Sequence, residues 1–124
     1  MMSRIRSKGT KPERLVFAYL RRNKVYFQKH YSKALGSPDI ALPRKKKAVF
    51  IDGEFWHGYT LERRKDSLPD YWVQKIIRNV KRDRHYRRQL RQEGWQVVRV
   101  WEHQLTKDKR EATLGAIHSF LAGD

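Results

Sequence analysis

A chain of 124 residues has room for one compact domain and too few for two ordinary ones, and its 39% apolar content, with 5 Phe, 4 Trp and 6 Tyr, excludes global disorder. The absence of cysteine excludes a disulfide framework, a thiolate zinc site and a cysteine nucleophile. A formal net charge of +16 calls for a polyanionic partner, because a basic surface gains free energy by releasing counterions from phosphates; a ribosomal or membrane-surface protein is the plainer alternative.

Residues 1–10 (MMSRIRSKGT) are polar and basic and read as a flexible arm, leaving 11–124 as a single domain. Thr10-Lys11-Pro12-Glu13 opens a helix, with Thr10 as N-cap, Pro12 in the first turn and Glu13 at the capping-box position. Leu15, Val16, Tyr19 and Leu20 then recur at helical spacing, and the helix should stop near Asn23. Val25 to Tyr31 reads as a short strand, Leu35 to Pro38 as a turn, and Pro38 to Leu42 as a strand entered through proline. Pro43 to Lys47 is a basic hairpin connection. Ala48 to Asp52 is the strongest strand, apolar on both faces and therefore central.

Residues 58–69 read as a polar loop. Asp70 to Glu93 predicts a long helix, with Trp72, Ile76, Val80, Tyr86 and Leu90 toward the core and Gly94 as its stop. Gln96 to Trp101 is a further buried strand, and residues 109–122 a terminal helix packed by Leu114, Ile117 and Leu121. Helix, three strands, helix, strand, helix is a mixed α/β domain. No apolar run approaches the roughly 18 residues of a membrane span and no signal peptide is visible, so a cytoplasmic protein is expected.

The charge is unevenly spread. Residues 1–47 hold 14 Lys/Arg against 2 acids, whereas residues 48–69 hold 3 against 4. Carboxylates set in a basic surface are poised to hold a cation beside a phosphate. Asp39 starts one strand and Asp52-Gly53-Glu54 ends its hairpin neighbour, so both acids can lie close at the sheet. Close carboxylates repel, and a hard cation such as Mg2+ relieves that repulsion and can activate a phosphodiester. His57, five residues beyond Asp52, can serve as general base or acid, and Glu13 can hold a metal-bound water.

Each residue also has a plainer reading. An Asp after Pro is more often a turn or cap residue, Asp-Gly is an ordinary turn signal, and a lone His is usually structural. The coincidence carries the argument: the one acid-rich window of a +16 chain ends its most buried strand, with a His just beyond. Phe55, Trp56 and Trp72 can stack on bases or wedge between them, or pack the core. Lys75, Arg78, Arg82 and some of Arg84, Arg87, Arg88 and Arg91 form the polar face of the long helix, as phosphate contacts or as a solvated face.

Taken together, SRIRSKGT at 3–10, TKPE at 10–13, GSPDIALP at 36–43, VFIDGEFWHG at 49–58, the Trp72-to-Asp83 pattern and GWQVVRVWE at 94–102 resemble the very-short-patch repair (Vsr-type) endonucleases. The resemblance implies a restriction-endonuclease-like α/β fold of the PD-(D/E)XK superfamily, a central mixed β-sheet flanked by helices. It implies a Mg2+-dependent enzyme, usually monomeric, that nicks one strand of double-stranded DNA at T:G mismatches in a bacterial-type, nucleoid-associated setting. The family's catalytic aspartate matches Asp39 and its catalytic histidine His57. Its helix-borne glutamate matches Glu13, and its second active-site position Asp52. A backbone carbonyl that shares the metal matches Ile51, and the aromatic wedge matches Phe55, Trp56 and Trp72. Arg4, Arg6 and Lys8 of the arm, with Lys75, Arg78 and Arg82, are the expected DNA contacts.

The chain departs from the family where typical members hold a structural zinc on three Cys and one His. The matching positions are Glu54, Tyr59, Leu61 and His103, which cannot form that site. No structural zinc is expected. Packing by Tyr59, Leu61 and Trp101 would substitute, and Glu54 could become an extra metal ligand or position a water. This departure opens a rival reading, the same chemistry on another target (defence, mobile-element or modified-base DNA). A non-catalytic DNA-binding protein is the rival from another class.

Overall fold

The computed structural model describes residues 10–54, 58–59 and 61–123. Helix α1 (Lys11–Arg22) starts as its sequence dictates. Thr10 is extended and its hydroxyl accepts from the Glu13 N–H, and Pro12 lies in the first turn. The Glu13 carboxylate turns away from the cap toward His30, so the capping-box role read from the sequence gives way to a tertiary one.

Three strands follow as an antiparallel meander: β1 (Gln28–Lys29), β2 (Ile40–Leu42) and β3 (Lys47–Asp52). β1 is far shorter than the expected Val25–Tyr31 strand. His30 adopts a left-handed backbone conformation (φ 49°), which turns the chain out of the ladder. The stretch expected to be loop contains a short helix α2 (Leu61–Arg64) and a 3-10 turn (Lys65–Ser67), both without buried residues. Helix α3 (Asp70–Gln92) then carries the chain to β4 (Gln96–Trp101), which pairs with β3 in parallel. The sheet order is β1-β2-β3-β4, which makes β3 central, as its apolar run required. Helix α4 (Arg110–Ala122) ends the described chain.

Strand alternation sorts the two faces. Val49, Ile51 and Val100 join Val16, Phe17 and Leu20 of α1 and Leu114, Ile117 and Leu121 of α4 in the main core. Asp52 and Arg99 point to the opposite face, toward α3, where they meet Asp83. On α3 only Ile76 and Leu90 are fully buried; Trp72, Val80 and Tyr86, expected in the core, are half-buried. β4 runs from exposed Gln96 through half-buried residues, with Val100 its one buried residue, as befits an edge strand.

The basic β2–β3 connection is largely structural. The Lys45 ammonium donates to the carbonyls of Leu121 and Gly123, and Lys47 donates to those of Phe120 and Gly123. Lys46 donates to Glu93 O at the end of α3. Three consecutive lysines thus satisfy the orphan carbonyls at the C-terminal ends of two helices, where the macrodipole favours positive charge.

Candidate active site

The turn before β2 sets the position of Asp39. Gly36 and Ser37 both have positive φ (82° and 49°), and Pro38 then directs the chain into the strand. A side chain at Gly36 would press on the Tyr86 ring, 3.0 Å from a built Cβ. The last bridged β2–β3 pair is Ile40↔Val49. Beyond it the strands part, and the Ile51 N–H donates to Asp39 Oδ2 at 2.7 Å. Within a strand, the N–H and C=O of one residue point to the same side. The Ile51 carbonyl therefore faces β2 and Asp39 as well.

On its other side, Asp39 meets Glu13 and His30. His30 Nε2 is 2.9 Å from Glu13 Oε1 and 3.8 Å from Asp39 Oδ1. Glu13 and Asp39 are buried, and the His30 side chain is 17% exposed. The three side chains offer ligand atoms that all lie within 4.8 Å of one another. Burial pushes the Asp39 carboxyl up to about 9, with the charges of Glu13 and Asp52 adding to it and the Ile51 N–H opposing it. Burial thus disfavours a bare negative charge on Asp39, and the donors around it suit a divalent cation: two carboxylates, an imidazole and a backbone carbonyl directed the same way.

His30 was not singled out by sequence. Its signal was the hairpin register: Gln28↔Ala41 and Lys29↔Ile40 place residue 30 opposite residue 39, and the His30 N–H donates to Asp39 O at 3.0 Å.

Asp52 stands apart from this group. Its Oδ2 accepts from Arg99 Nε at 2.7 Å, and Arg99 Nη2 is 3.8 Å from Asp83 Oδ2. The Arg99 guanidinium lies 4.0 Å above the Trp101 ring. Asp39 and Asp52 lie near one another at the ends of neighbouring strands, as the sequence suggested, and Asp52 adds to the upward push on Asp39, but the Asp52 carboxylate is engaged by an arginine that sequence reasoning overlooked.

Comparison with known proteins gives the site a context. A family model described as DNA mismatch endonuclease Vsr matches residues 1–63. The Type II nicking enzyme V.NmeDIP of Neisseria meningitidis serogroup C is 38% identical over 106 residues, covering 83% of this chain and 72% of that protein. V.HpaIIP of Haemophilus parainfluenzae, also a Type II nicking enzyme, is 37% identical over 117 residues, covering 92% and 83%. The chain belongs to the Vsr family. DNA mismatch endonuclease Vsr of Escherichia coli (strain K12) is a more distant relative, 27% identical over 128 residues, with 99% of this chain and 82% of that one covered. The four-stranded mixed sheet with its flanking helices is the α/β architecture expected of a restriction-endonuclease-like Vsr protein.

At the positions matching the family's zinc ligands, side chains bond to and pack on one another. Glu54 Oε2 accepts from the His103 N–H at 2.7 Å and lies 3.1 Å from His103 Nδ1. The Tyr59 ring packs against His103 and Trp101, with centroids 4.6 and 5.0 Å apart. Glu54 is thus engaged away from the Glu13–His30–Asp39 group, while Leu61 begins α2.

Other Vsr-type expectations fall on residues outside those described: Arg4, Arg6 and Lys8 of the arm, and Phe55, Trp56 and His57. Trp72 is half-buried at the start of α3, its ring 4.7 Å from that of Tyr71. Arg78 and Arg82 are exposed and Lys75 half-buried. Further along α3, Arg84, Arg87, Arg88, Arg91 and Gln92 line an open depression of about 410 Å³. Burial and the neighbouring Arg99 lower the Arg87 guanidinium below its ordinary value. Among the described residues, no helix is long and apolar enough to cross a membrane.

Proposed function

We propose that this Vsr-family protein is a Mg2+-dependent endonuclease that nicks one strand of double-stranded DNA, acting as a monomer in the cytoplasm. The observation that carries the proposal is the convergence of buried Glu13 and Asp39, with His30, on one point inside a chain of charge +16. Such a group is costly unless a cation or a proton accompanies it. The names of the relatives point the same way, as Type II nicking enzymes and a DNA mismatch endonuclease.

In this reading Asp39 and the Ile51 carbonyl hold the metal, and the Ile51 N–H fixes the carboxylate so that Oδ1 faces inward. When bound, the ion neutralises charge on the phosphodiester and acidifies water. Glu13 orients the attacking water from the first turn of α1. His57 moves the proton, as general base or as acid toward the leaving oxygen. Asp52, held by Arg99, shapes the field at the end of β3. Phe55, Trp56 and Trp72 deform the duplex, while Arg4, Arg6, Lys8, Lys75, Arg78 and Arg82 contact its backbone. A T:G mismatch is the target proposed from the family; the Glu54–His103 pair at the zinc position favours testing other targets beside it.

A plasmid-nicking assay tests the proposal. Wild-type protein is expected to convert supercoiled plasmid to open circles in Mg2+ and not in EDTA, and Asp39→Ala to be inactive. An Asp39→Ala protein that still nicks overturns the assignment. Mismatched, matched and modified duplexes then separate the targets.

A further inference from the structure

We infer that His30 is a nitrogen ligand of the divalent cation, so that Glu13, His30 and Asp39 form one mixed oxygen–nitrogen site that favours a borderline transition ion over Mg2+. The inference rests on the reading of Asp39 as a metal ligand; it adds His30, which the family assignments above do not include, and lets Glu13 touch the ion directly as well as orient water.

Geometry is the first support. Neighbouring donors around an octahedral ion with ligand bonds of about 2.1 Å lie about 3 Å apart, and opposite donors about 4.2 Å. The separations here are 2.9 Å from His30 Nε2 to Glu13 Oε1 and 3.8 Å from His30 Nε2 to Asp39 Oδ1, with every ligand atom within 4.8 Å of the others. These spacings bracket a single ion.

The backbone is the second support. His30 holds a φ of 49°, a conformation that costs a β-carbon residue free energy and is concentrated at functional positions. Its N–H is fixed by Asp39 O at 3.0 Å, and its ring meets Phe17 edge-on at 5.8 Å. The strained main chain and the packed ring together aim Nε2 at both carboxylates. A histidine retained only to satisfy Glu13 would need contact with one acid; this one faces two, from a β-hairpin whose other strand carries Asp39.

The chemical consequence follows from donor type. Mg2+ takes oxygen donors, whereas imidazole favours ions later in the first transition row. A site with one imidazole should bind Co2+ more tightly than Mg2+, and the preference should depend on residue 30 alone.

The test measures ion binding rather than cleavage. Co2+ and Mg2+ dissociation constants are determined by calorimetry for wild type, His30→Asn, His30→Gly and Asp39→Asn. Asn and Gly both tolerate the left-handed backbone, so at least one variant is expected to keep the fold, which circular dichroism confirms. Mn2+ spin-echo spectra then report directly bonded nitrogen. The expected result is a nitrogen coupling in wild type that both His30 variants lose, with a Co2+ over Mg2+ preference that falls at least tenfold. A purely structural role would weaken both ions equally and leave the ratio unchanged. An unaltered ratio, or a coupling that survives in a folded His30 variant, overturns the inference while leaving Asp39 as a ligand. Ion binding that is unchanged in Asp39→Asn overturns the underlying site as well.

Discussion

The Asp39 carboxylate accepts the Ile51 N–H at 2.7 Å just past the last bridged residues of β2 and β3. A side chain completes the ladder where the main chain has left it. The same bond fixes one carboxylate oxygen and leaves the other facing Glu13 and His30, so the parting of two strands creates the site.

A pH dependence follows from Asp39. Its carboxyl has an ordinary value of 3.8 and is pushed to about 9 in the fold, chiefly by burial. Between those values the folded chain holds a proton that the unfolded chain has lost. Stability without metal is therefore fully present below pH 3.8 and declines as pH rises toward 9, by at most about 1.4 kcal/mol per pH unit. Asp39→Asn keeps an acceptor for Ile51 and removes the titration. In chelated buffer it should melt above wild type at pH 8, with the gap narrowing at pH 5. Parallel melting curves across that range would contradict the assignment.

Arg99 separates two carboxylates, Asp52 and Asp83, on the α3 face of the sheet. Replacing it with Met keeps the stacking volume over Trp101 and leaves both acids without their shared cation. Asp83 keeps Arg82 at 3.2 Å, so removing the shared partner of this partly buried set costs roughly 1–3 kcal/mol. Arg99→Met should unfold at markedly lower urea concentration than wild type, whereas Asp52→Asn, which keeps an acceptor for Arg99, should lose less. Equal midpoints for Arg99→Met and wild type would show that the set carries no structural weight.

The Glu54–His103 hydrogen bonds tie the segment after β3 to the turn after β4. Glu54→Ala leaves the His103 N–H without its charged acceptor and should destabilise by about 1.5–3 kcal/mol. Because these residues bond to each other, a zinc-selective chelator should not lower the melting temperature of wild type. A chelator-induced drop, or zinc recovered from purified protein by elemental analysis, would reinstate a structural metal.

The arginine-lined depression on α3 predicts a backbone-binding surface. If Arg84 and Arg88, both exposed, bind phosphates, changing both to Gln should weaken duplex binding regardless of sequence. The slope of log affinity against log salt should become shallower by about 0.9 for each phosphate that the variant no longer neutralises. An unchanged slope would assign those charges to the solvated face.

Gly58 has a φ of 84°, and a side chain there would run into Val80 on α3. Gly58→Ala combines backbone strain with a steric clash, so a loss of roughly 1–3 kcal/mol is expected in thermal melts. An alanine variant as stable as wild type would mean that this segment does not rest on the helix.

Local signals made the helices and the central strand readable. Thr10 and Pro12 mark the start of α1, Gly94 follows the end of α3, and the run from Ala48 to Asp52 could only be interior. Asp39 and Glu13 stood out because acids are scarce in a basic half-chain. His30 did not, because its role depends on register: residue 30 faces residue 39 only once the hairpin is drawn. Nor did the ion pair of Asp52 with Arg99, which depends on the parallel pairing of β3 with β4. Net charge alone did not show that Lys45, Lys46 and Lys47, read as a basic hairpin connection, bind helix-end carbonyls within the protein.

Those lysines tie residues 120–123 to the strand that carries Ile51. Lys47 is 3% exposed and begins the strand that carries Ile51, and its ammonium rests on oxygens contributed by residues 120 and 123. Removing residues 120–123 would strand a positive charge at the root of β3. Without those acceptors the start of β3 would lose its anchorage, and with it the strand whose Ile51 N–H holds Asp39.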